Sequence, residues 1–148
     1  MAVNPIIIDA SIAVKWYIEE EDSHFALALR DKFINGDIEL VVPSLFYYEV
    51  LNALKYSNLF DLKELNEVGT SLENYGLSSI SIRDDVREKM VEIVMKYDLS
   101  IYDAAYIAIA LNVKGTLFTA DDKIIKKLPK KFLTYVKTLS QLHEVFQE

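Results

Sequence analysis

The stretch Ile6-Ile7-Ile8-Asp9-Ala10-Ser11 decides the fold, because it joins a short β-branched run to an acidic residue and to the start of a helix. Three consecutive isoleucines without polar alternation are typical of a strand buried on both faces. Asp9 stands where this strand ends, and residues 11–18 form a helical pattern. A carboxylate beside buried structure is costly unless it is paired or binds a metal, so Asp9 is the first candidate functional residue.

The rest of the chain repeats this alternation of short apolar runs and helical patterns. Strands separated by helices favour right-handed crossovers and a parallel sheet covered on both faces. With 148 residues, three prolines, four glycines and no evident linker or repeat, residues 1–148 are predicted to form one α/β domain. After the strand at 6–9, strands are predicted at 39–42, 77–82, 116–119 and 133–136, and helices at 11–18, 23–35, 44–56, 59–75, 84–97, 100–111, 122–128 and 140–146.

Three further acids interrupt or end apolar runs. Glu49 lies in the run 46–51, Asp103 lies in the run 101–107, and Asp121 ends the segment 116–121. Ligands of open parallel sheets bind beyond the carboxyl ends of the strands, where Asp9 and Asp121 are predicted. Four converging negative charges need a cation, and carboxylate oxygens suit Mg²⁺ or Mn²⁺.

Each acid also has a structural interpretation when it is taken alone. Asp9 and Asp121 could cap the helices that follow them, and Ser100-Ile101-Tyr102-Asp103 matches a variant capping box. Glu49 could be an exposed residue of an amphipathic helix, although Asn52 one turn on offers no salt-bridge partner. The metal hypothesis therefore depends on all four acids together.

A metal ion held by carboxylates points to hydrolysis of phosphodiesters. Such an ion lowers the pKa of a bound water and neutralises charge that develops on the phosphate oxygens. Ser11 and Thr119 add hydroxyl groups beside Asp9 and Asp121 that could orient a water or a carboxylate. Local hydrogen bonding to the backbone at a turn is the alternative role for these hydroxyl groups.

The charge of the chain is unevenly distributed. The net charge is −7, which is unfavourable for a nucleic-acid-binding protein. Residues 1–113 carry −10 and residues 114–148 carry +3, so a basic segment follows the acidic part. Its lysines either contact a nucleic acid or merely solvate the surface. The predicted nucleic-acid contacts are Lys123, Lys126, Lys127 and Lys130.

Other classes of site and location are excluded or disfavoured by composition. The absence of cysteine excludes disulfides and thiolate zinc sites, and His24 and His143 lack the spacing of metal ligands. No apolar run approaches the ~20 residues of a membrane span, and the N-terminal segment lacks the basic start of a signal peptide. The sequence thus predicts a soluble cytoplasmic protein without membrane association.

Four segments carry the acids in order along the chain, namely Ile8–Trp16, Pro43–Leu54, Leu99–Ala108 and Leu117–Asp122. Together they resemble the motifs of PIN-domain ribonucleases, and most closely those of VapC-type toxins of toxin–antitoxin pairs. The resemblance covers nearly the whole chain. It implies a three-layer α/β/α sandwich with a five-stranded parallel sheet in the order 3-2-1-4-5.

The resemblance also implies an activity, a cofactor and partners. The activity is cleavage of RNA by a Mg²⁺- or Mn²⁺-dependent endoribonuclease, the toxin of a type II toxin–antitoxin system. Asp9, Asp103 and Asp121 correspond to the principal metal ligands, and Glu49 to a residue that holds metal-bound water or a second ion. The implied partners are a VapB-type antitoxin and a second copy of the chain in a homodimer. The aromatic residues of segment 46–75 could line a groove for an antitoxin helix or could pack in the core.

Three other functions compete with this interpretation. A phosphoacceptor receiver domain should have adjacent acids after its first strand, whereas Ala10 follows Asp9. A catalytically silent PIN module for RNA binding is disfavoured by the complete set of four acids. A PIN nuclease of RNA processing remains an alternative, and the short chain without an appended domain favours the toxin.

Overall fold

The computed structural model describes residues 5–146, and its centre is a five-stranded sheet. All four strand pairs are parallel, and the strand order is β3-β2-β1-β4-β5. Both features confirm the predicted topology. The strands are β1 (Ile6–Ile8), β2 (Leu40–Pro43), β3 (Ser78–Ile80), β4 (Thr116–Thr119) and β5 (Val136–Thr138).

Helices connect the strands and cover the sheet. The three isoleucines of β1 are completely buried, and because successive side chains of a strand point to opposite faces, both faces of the sheet are covered. The helices are α1 (Ala10–Tyr17), α2 (Ser23–Ile34), α3 (Leu45–Tyr56), α4 (Leu62–Tyr75), α5 (Asp84–Tyr97), α6 (Ile101–Val113), α7 (Asp122–Lys127) and α8 (Leu142–Val145).

The C-terminal part of the fold differs from the sequence prediction. The last strand was expected at 133–136 but starts at Val136, because a 3-10 helix at Lys130–Phe132 and the turn after it occupy this segment. The final helix was expected at 140–146. It is limited to α8, because Thr138 and Gln141 form a capping box around a 3-10 turn at Leu139–Gln141.

Two other predicted elements are shorter in the structure. The strand predicted at 77–82 is reduced to β3. The helix predicted at 59–75 begins only at Leu62, because Asp61 caps it through a reciprocal pair of hydrogen bonds with Glu64. Within residues 5–146, no helix is both long and apolar enough to cross a membrane.

The pairing of β1 with β4 positions the candidate site. A Cβ atom at Gly115 would lie only 2.3 Å from the carbonyl oxygen of Pro5, so the two strands can approach here only because residue 115 is glycine. This close approach lets the amide of Thr116 donate to the same carbonyl, at 3.0 Å. The resulting register pairs Ile8 with Phe118, so Asp9, just after β1, and Thr119, the last residue of β4, lie at the same edge of the sheet.

Candidate functional site

Asp9 occupies the carboxyl end of β1 and is the buried centre of the site. Its Oδ1 accepts hydrogen bonds from the amide of Ser11, at 3.1 Å, and from the Ser11 hydroxyl. Its Oδ2 accepts a hydrogen bond of 2.5 Å from the hydroxyl of Thr119. The first of these bonds confirms Asp9 as the N-cap of α1. The carboxylate is 7% exposed, although no cation neutralises it among residues 5–146.

The hydroxyl groups of Ser11 and Thr119 connect the first strand to the loop after β4. Ser11 Oγ accepts from the amide of Ala120 at 2.9 Å, and Thr119 Oγ1 accepts from the amide of Asp121 at 3.0 Å. Ser11 thus bonds both locally, to Asp9, and to a segment more than 100 residues away. The position of Asp9 relative to Asp121 is therefore determined by two side-chain bridges in addition to the sheet.

Glu49 reaches the site from α3 and is held by a tyrosine of α6. The buried Tyr106 donates a hydrogen bond of 2.6 Å from its hydroxyl to Glu49 Oε1. Burial, followed by the nearby carboxylates, raises the pKa of Tyr106 far above its usual value, so this hydroxyl remains a donor. Glu49 is half-buried and hydrogen-bonded, so it is not the exposed residue of an amphipathic helix that the sequence left as an alternative.

Asp103 and Asp121 lie at the starts of two helices. Asp121 caps α7 by accepting a 2.9 Å hydrogen bond from the amide of Lys123, which confirms the capping interpretation. The capping box predicted for Ser100 and Asp103 is half present. Ser100 Oγ accepts from the amide of Asp103 at 3.0 Å, whereas within residues 5–146 no bond returns from the Asp103 carboxylate to the Ser100 amide. A side-chain hydrogen bond with Ser100 still lowers the pKa of the Asp103 carboxyl, against the larger effect of burial.

The four carboxylates interact electrostatically. Burial raises the pKa of Asp9 to about 6, and the charges of Asp103 and Glu49 add to this effect, while the hydroxyl donors Ser11 and Thr119 oppose it. Burial also raises the pKa of Glu49, with a further contribution from Asp103. The pKa of Asp103 is raised by burial and by Asp121. The acids thus form one cluster of mutually repelling charges, which we call the acidic quartet (Asp9, Glu49, Asp103 and Asp121).

The donor set of the quartet suits a hard divalent cation. Carboxylate oxygens are the ligands that Mg²⁺ and Mn²⁺ prefer, and a cation would compensate the repulsion among the four groups. Within residues 5–146, no three acidic or histidine side chains lie close enough to form a complete protein cage. An ion here would therefore be held directly by one or two carboxylates, and Mg²⁺ can be bound in this way because it keeps several waters.

The lysines predicted to contact RNA lie on α7, which begins after Asp121, and at the start of the following 3-10 helix. Lys123, Lys126, Lys127 and Lys130 are all exposed. Lys127 lies near enough to Asp103 to lower the pKa of that carboxyl group, against the stronger effect of burial. Its ammonium group also donates to the carbonyl of Asp98 at 3.1 Å. Asp122 is exposed in the first turn of α7, where an acid favours the helix dipole.

Tyr106 is a site residue that the sequence analysis missed. It seemed to be one more apolar residue in the run that contains Asp103. Its signal was the spacing, because residues three apart on a helix share a face. Tyr106 follows Asp103 by three positions. Its hydroxyl group is therefore expected on the face of the helix that also carries Asp103.

A parallel sheet in the order β3-β2-β1-β4-β5, with an acidic quartet beyond the carboxyl ends of β1 and β4, defines an α/β protein with an anionic centre at the sheet edge. Residues 6–131 match the PIN domain, and the chain belongs to the PIN-domain family.

One protein of similar sequence and two solved structures of similar fold are compared with this chain. Ribonuclease VapC3 of Pyrobaculum aerophilum is 29% identical over 129 residues, which cover 84% of this chain and 95% of that protein. The crystal structure of PAE2754 from Pyrobaculum aerophilum superposes with a TM-score of 0.64 at 21% identity, over 98% of this chain and 90% of the other. A toxin–antitoxin complex from Klebsiella pneumoniae gives a TM-score of 0.63 at 18% identity, covering 84% of this chain and 92% of the matched chain. Both solved structures have the same fold as this chain.

Proposed function

We propose that this protein is a divalent-metal-dependent endoribonuclease and the VapC-type toxin of a toxin–antitoxin pair. The observation that carries the proposal is the buried, unneutralised Asp9, which is coupled to Asp103 and Glu49, while Asp103 is coupled to Asp121. The relative named Ribonuclease VapC3 supports RNA as the substrate. The match to a chain of a toxin–antitoxin complex supports an antitoxin partner. A cytoplasmic location follows from RNA as the substrate.

The residues of the quartet have distinct roles in this proposal. Asp9, Asp103 and Asp121 would hold Mg²⁺ or Mn²⁺, one or two of them directly and the others through the waters of the ion. Ser11 and Thr119 orient Asp9 through their hydroxyl groups. The bound ion would supply an activated water and neutralise charge on the phosphate. Glu49, held by Tyr106, accepts a hydrogen bond from the attacking water and orients it toward the phosphorus atom.

A groove between α3 and α4 suits the antitoxin. It has a volume of about 370 Å³ and is lined by Tyr47, Leu51, Leu72 and neighbouring residues. Such an apolar groove matches one face of an amphipathic helix. The aromatic residues of segment 46–75 were predicted either to line a groove or to pack in the core, and the structure contains both cases. Phe46 is buried in the core, whereas Tyr47 lines this groove. A homodimer remains part of the proposal.

Cleavage of total cellular RNA by the purified protein tests the enzymatic proposal. We expect cleavage in Mg²⁺ or Mn²⁺, loss of cleavage in EDTA, and recovery when the divalent ion is restored in excess. Cleavage that persists in EDTA would contradict a metal-dependent mechanism. A fluorescently labelled RNA substrate followed on a denaturing gel separates internal cleavage from trimming at the ends.

Tyr106→Phe should reduce cleavage by roughly 10- to 100-fold, because supporting residues around metal sites have effects of this size. The change removes only the hydroxyl that donates to Glu49. Since this bond lowers the pKa of Glu49, its loss should raise that pKa and move the acidic limb of the pH–rate profile to higher pH. Tyr17→Phe removes another hydroxyl bond, to Ser71, and serves as the control. An unchanged pH profile in Tyr106→Phe would contradict this role.

Replacing Lys126, Lys127 and Lys130 with glutamine should weaken RNA binding and flatten its salt dependence. Each phosphate contact contributes about 0.7 to the slope of log K against log salt for single strands, so three contacts reduce the slope by about 2. The matched control replaces the exposed Lys55, Lys63 and Lys89, which changes the net charge equally. Equal slopes for the two triple variants would place the RNA path elsewhere. Fluorescence anisotropy at several salt concentrations measures both slopes.

A further inference from the structure

Two tyrosines beside the acidic quartet expose their rings to solvent. Tyr48 on α3 is 78% exposed and Tyr102 on α6 is 60% exposed. Within residues 5–146, neither ring stacks on another aromatic ring or on a cation. By contrast, the exposed Tyr56, further along α3, is covered by the ammonium group of Lys55 at 4.5 Å. Two unpartnered rings beside a candidate catalytic centre require an explanation.

The two rings border one open pocket. It has a volume of about 530 Å³ and is lined by Tyr48, Glu49, Asn52 and Tyr102. Its size lies within the ~300–1,000 Å³ of small-molecule sites. Tyr48 and Asn52 lie one turn apart and share a face of α3. Because Tyr102 lies one turn before Tyr106, which bonds to Glu49, the two helices present these side chains to the same space.

We propose that this pocket binds an unpaired nucleobase of the RNA, stacked against Tyr48 and Tyr102 and hydrogen-bonded at its edge by the amide of Asn52. This inference rests on the proposed ribonuclease function and adds the place where a base of the substrate binds. Stacking on aromatic rings tolerates any base, whereas the Asn52 amide, which is both donor and acceptor, can favour one base edge over another.

The composition of the pocket favours a base over a protein side chain. Glu49 forms one wall of the pocket and also belongs to the quartet, so the occupant lies next to the position of the scissile phosphate. An apolar protein side chain would bury the Asn52 amide and the Glu49 carboxylate without any hydrogen bond beyond the one from Tyr106, which is costly. A base offers flat faces to the rings and polar edges to these two groups. Paired bases in a duplex present neither a free face nor a free edge.

Variants that remove the rings test the proposal. Tyr48→Leu and Tyr102→Leu keep apolar bulk, whereas Tyr48→Phe and Tyr102→Phe keep the ring. With a short single-stranded RNA of random sequence, we expect each leucine variant to bind about 10-fold more weakly, since one stacked base contributes that much or more. The phenylalanine variants should bind like the parent protein. All are measured in an Asp103→Asn background with Mg²⁺, so that the probe stays intact.

Photo-crosslinking shows which residues contact the RNA and complements the measured RNA affinities. The same RNA containing 5-iodouridine should photo-crosslink to peptides that contain Tyr48 or Tyr102, as identified by mass spectrometry. Tyr56→Leu is the matched control on the same helix and should leave both affinity and crosslinks unchanged. The corresponding duplex RNA should show no difference between the tyrosine and leucine forms. Thermal melting checks that each variant is folded.

Three results would overturn the proposal in distinguishable ways. If the parent protein cleaves RNA but both leucine variants bind as tightly as it does, the pocket takes no base. If the leucine variants keep their RNA affinity but change the oligomeric state in sedimentation, the two tyrosines belong to a protein interface. If the parent protein neither binds nor cleaves RNA in Mg²⁺ or Mn²⁺, the ribonuclease proposal itself fails.

Discussion

Asp9→Asn is expected to lower the rate of RNA cleavage by at least ~100-fold. Side chains that merely support metal ligands contribute about 10- to 100-fold, so loss of a direct ligand should exceed this range. Asparagine keeps the size of the side chain and can still accept the hydrogen bond from the amide of Ser11 that caps α1. The fold should therefore survive while the charge that attracts the cation is lost. Single-turnover cleavage in saturating Mg²⁺ measures the effect.

Asp103→Asn should have a similar effect on cleavage for the same reason. The backbone amide of Asp103 donates to the Ser100 hydroxyl and does not depend on the side chain, so the change should leave the helix start intact. Glu67→Gln, at an exposed position of α4, removes the same charge away from the site and serves as the control. If either aspartate variant retained full cleavage in metal-replete buffer, the metal-site assignment would be wrong.

The same substitution, Asp9→Asn, should raise the stability of the folded protein in EDTA, although it lowers the rate of RNA cleavage. Burial raises the pKa of Asp9 from 3.8 to about 6. A carboxyl group whose pKa is raised by folding costs stability when it ionises, and this cost appears as the pH rises from about 4 to 6. The shift corresponds to on the order of 3 kcal/mol above pH 6. The amide nitrogen of asparagine cannot accept the hydrogen bond that Thr119 donates to Asp9. The loss of this bond offsets part of the gain, so we expect Asp9→Asn to raise the free energy of unfolding by about 1–2 kcal/mol.

Urea denaturation at pH 7.5 and at pH 4, with and without Mg²⁺, measures this effect. The advantage of Asp9→Asn should be present at pH 7.5 in EDTA and largely lost near pH 4, where the folded carboxyl is protonated and the unfolded carboxyl is only partly ionised. Mg²⁺ should stabilise the parent protein more than the variant, because an ion that binds only the folded state shifts the equilibrium toward it. A variant less stable than the parent at pH 7.5 in EDTA would contradict the destabilising charge.

These opposite effects follow from one feature of the site. The carboxylate of Asp9 costs stability chiefly because it is buried and, to a smaller extent, because it lies near Asp103 and Glu49. The same concentration of negative charge would attract a divalent ion. Stability and metal affinity are thus coupled at a single residue. Helix capping and metal binding do not exclude each other, since a capping oxygen of Asp9 keeps a second lone pair.

The sheet and most helix boundaries followed from local sequence signals. The isoleucine run 6–8 and the strand at 116–119 were predictable because consecutive β-branched or aromatic residues cannot be exposed on both faces of a strand. The caps at Asp9 and Asp121 followed from acids placed directly before helical patterns. Local signals failed at the last strand, where Leu133 and Tyr135 seemed to form a strand but lie in a turn.

The sequence by itself determined the strand order, through its resemblance to PIN-domain motifs, and the identity of the four acids. Only the tertiary structure decided what surrounds them. The bridge from Ser11 to Ala120 and the bond from Tyr106 to Glu49 join residues 109 and 57 positions apart. No periodicity reports such pairs, because hydrogen bonds between distant segments depend on the three-dimensional packing of strands and helices. The same packing places Tyr48 and Tyr102 around one pocket, which the sequence showed only as two separate aromatic residues.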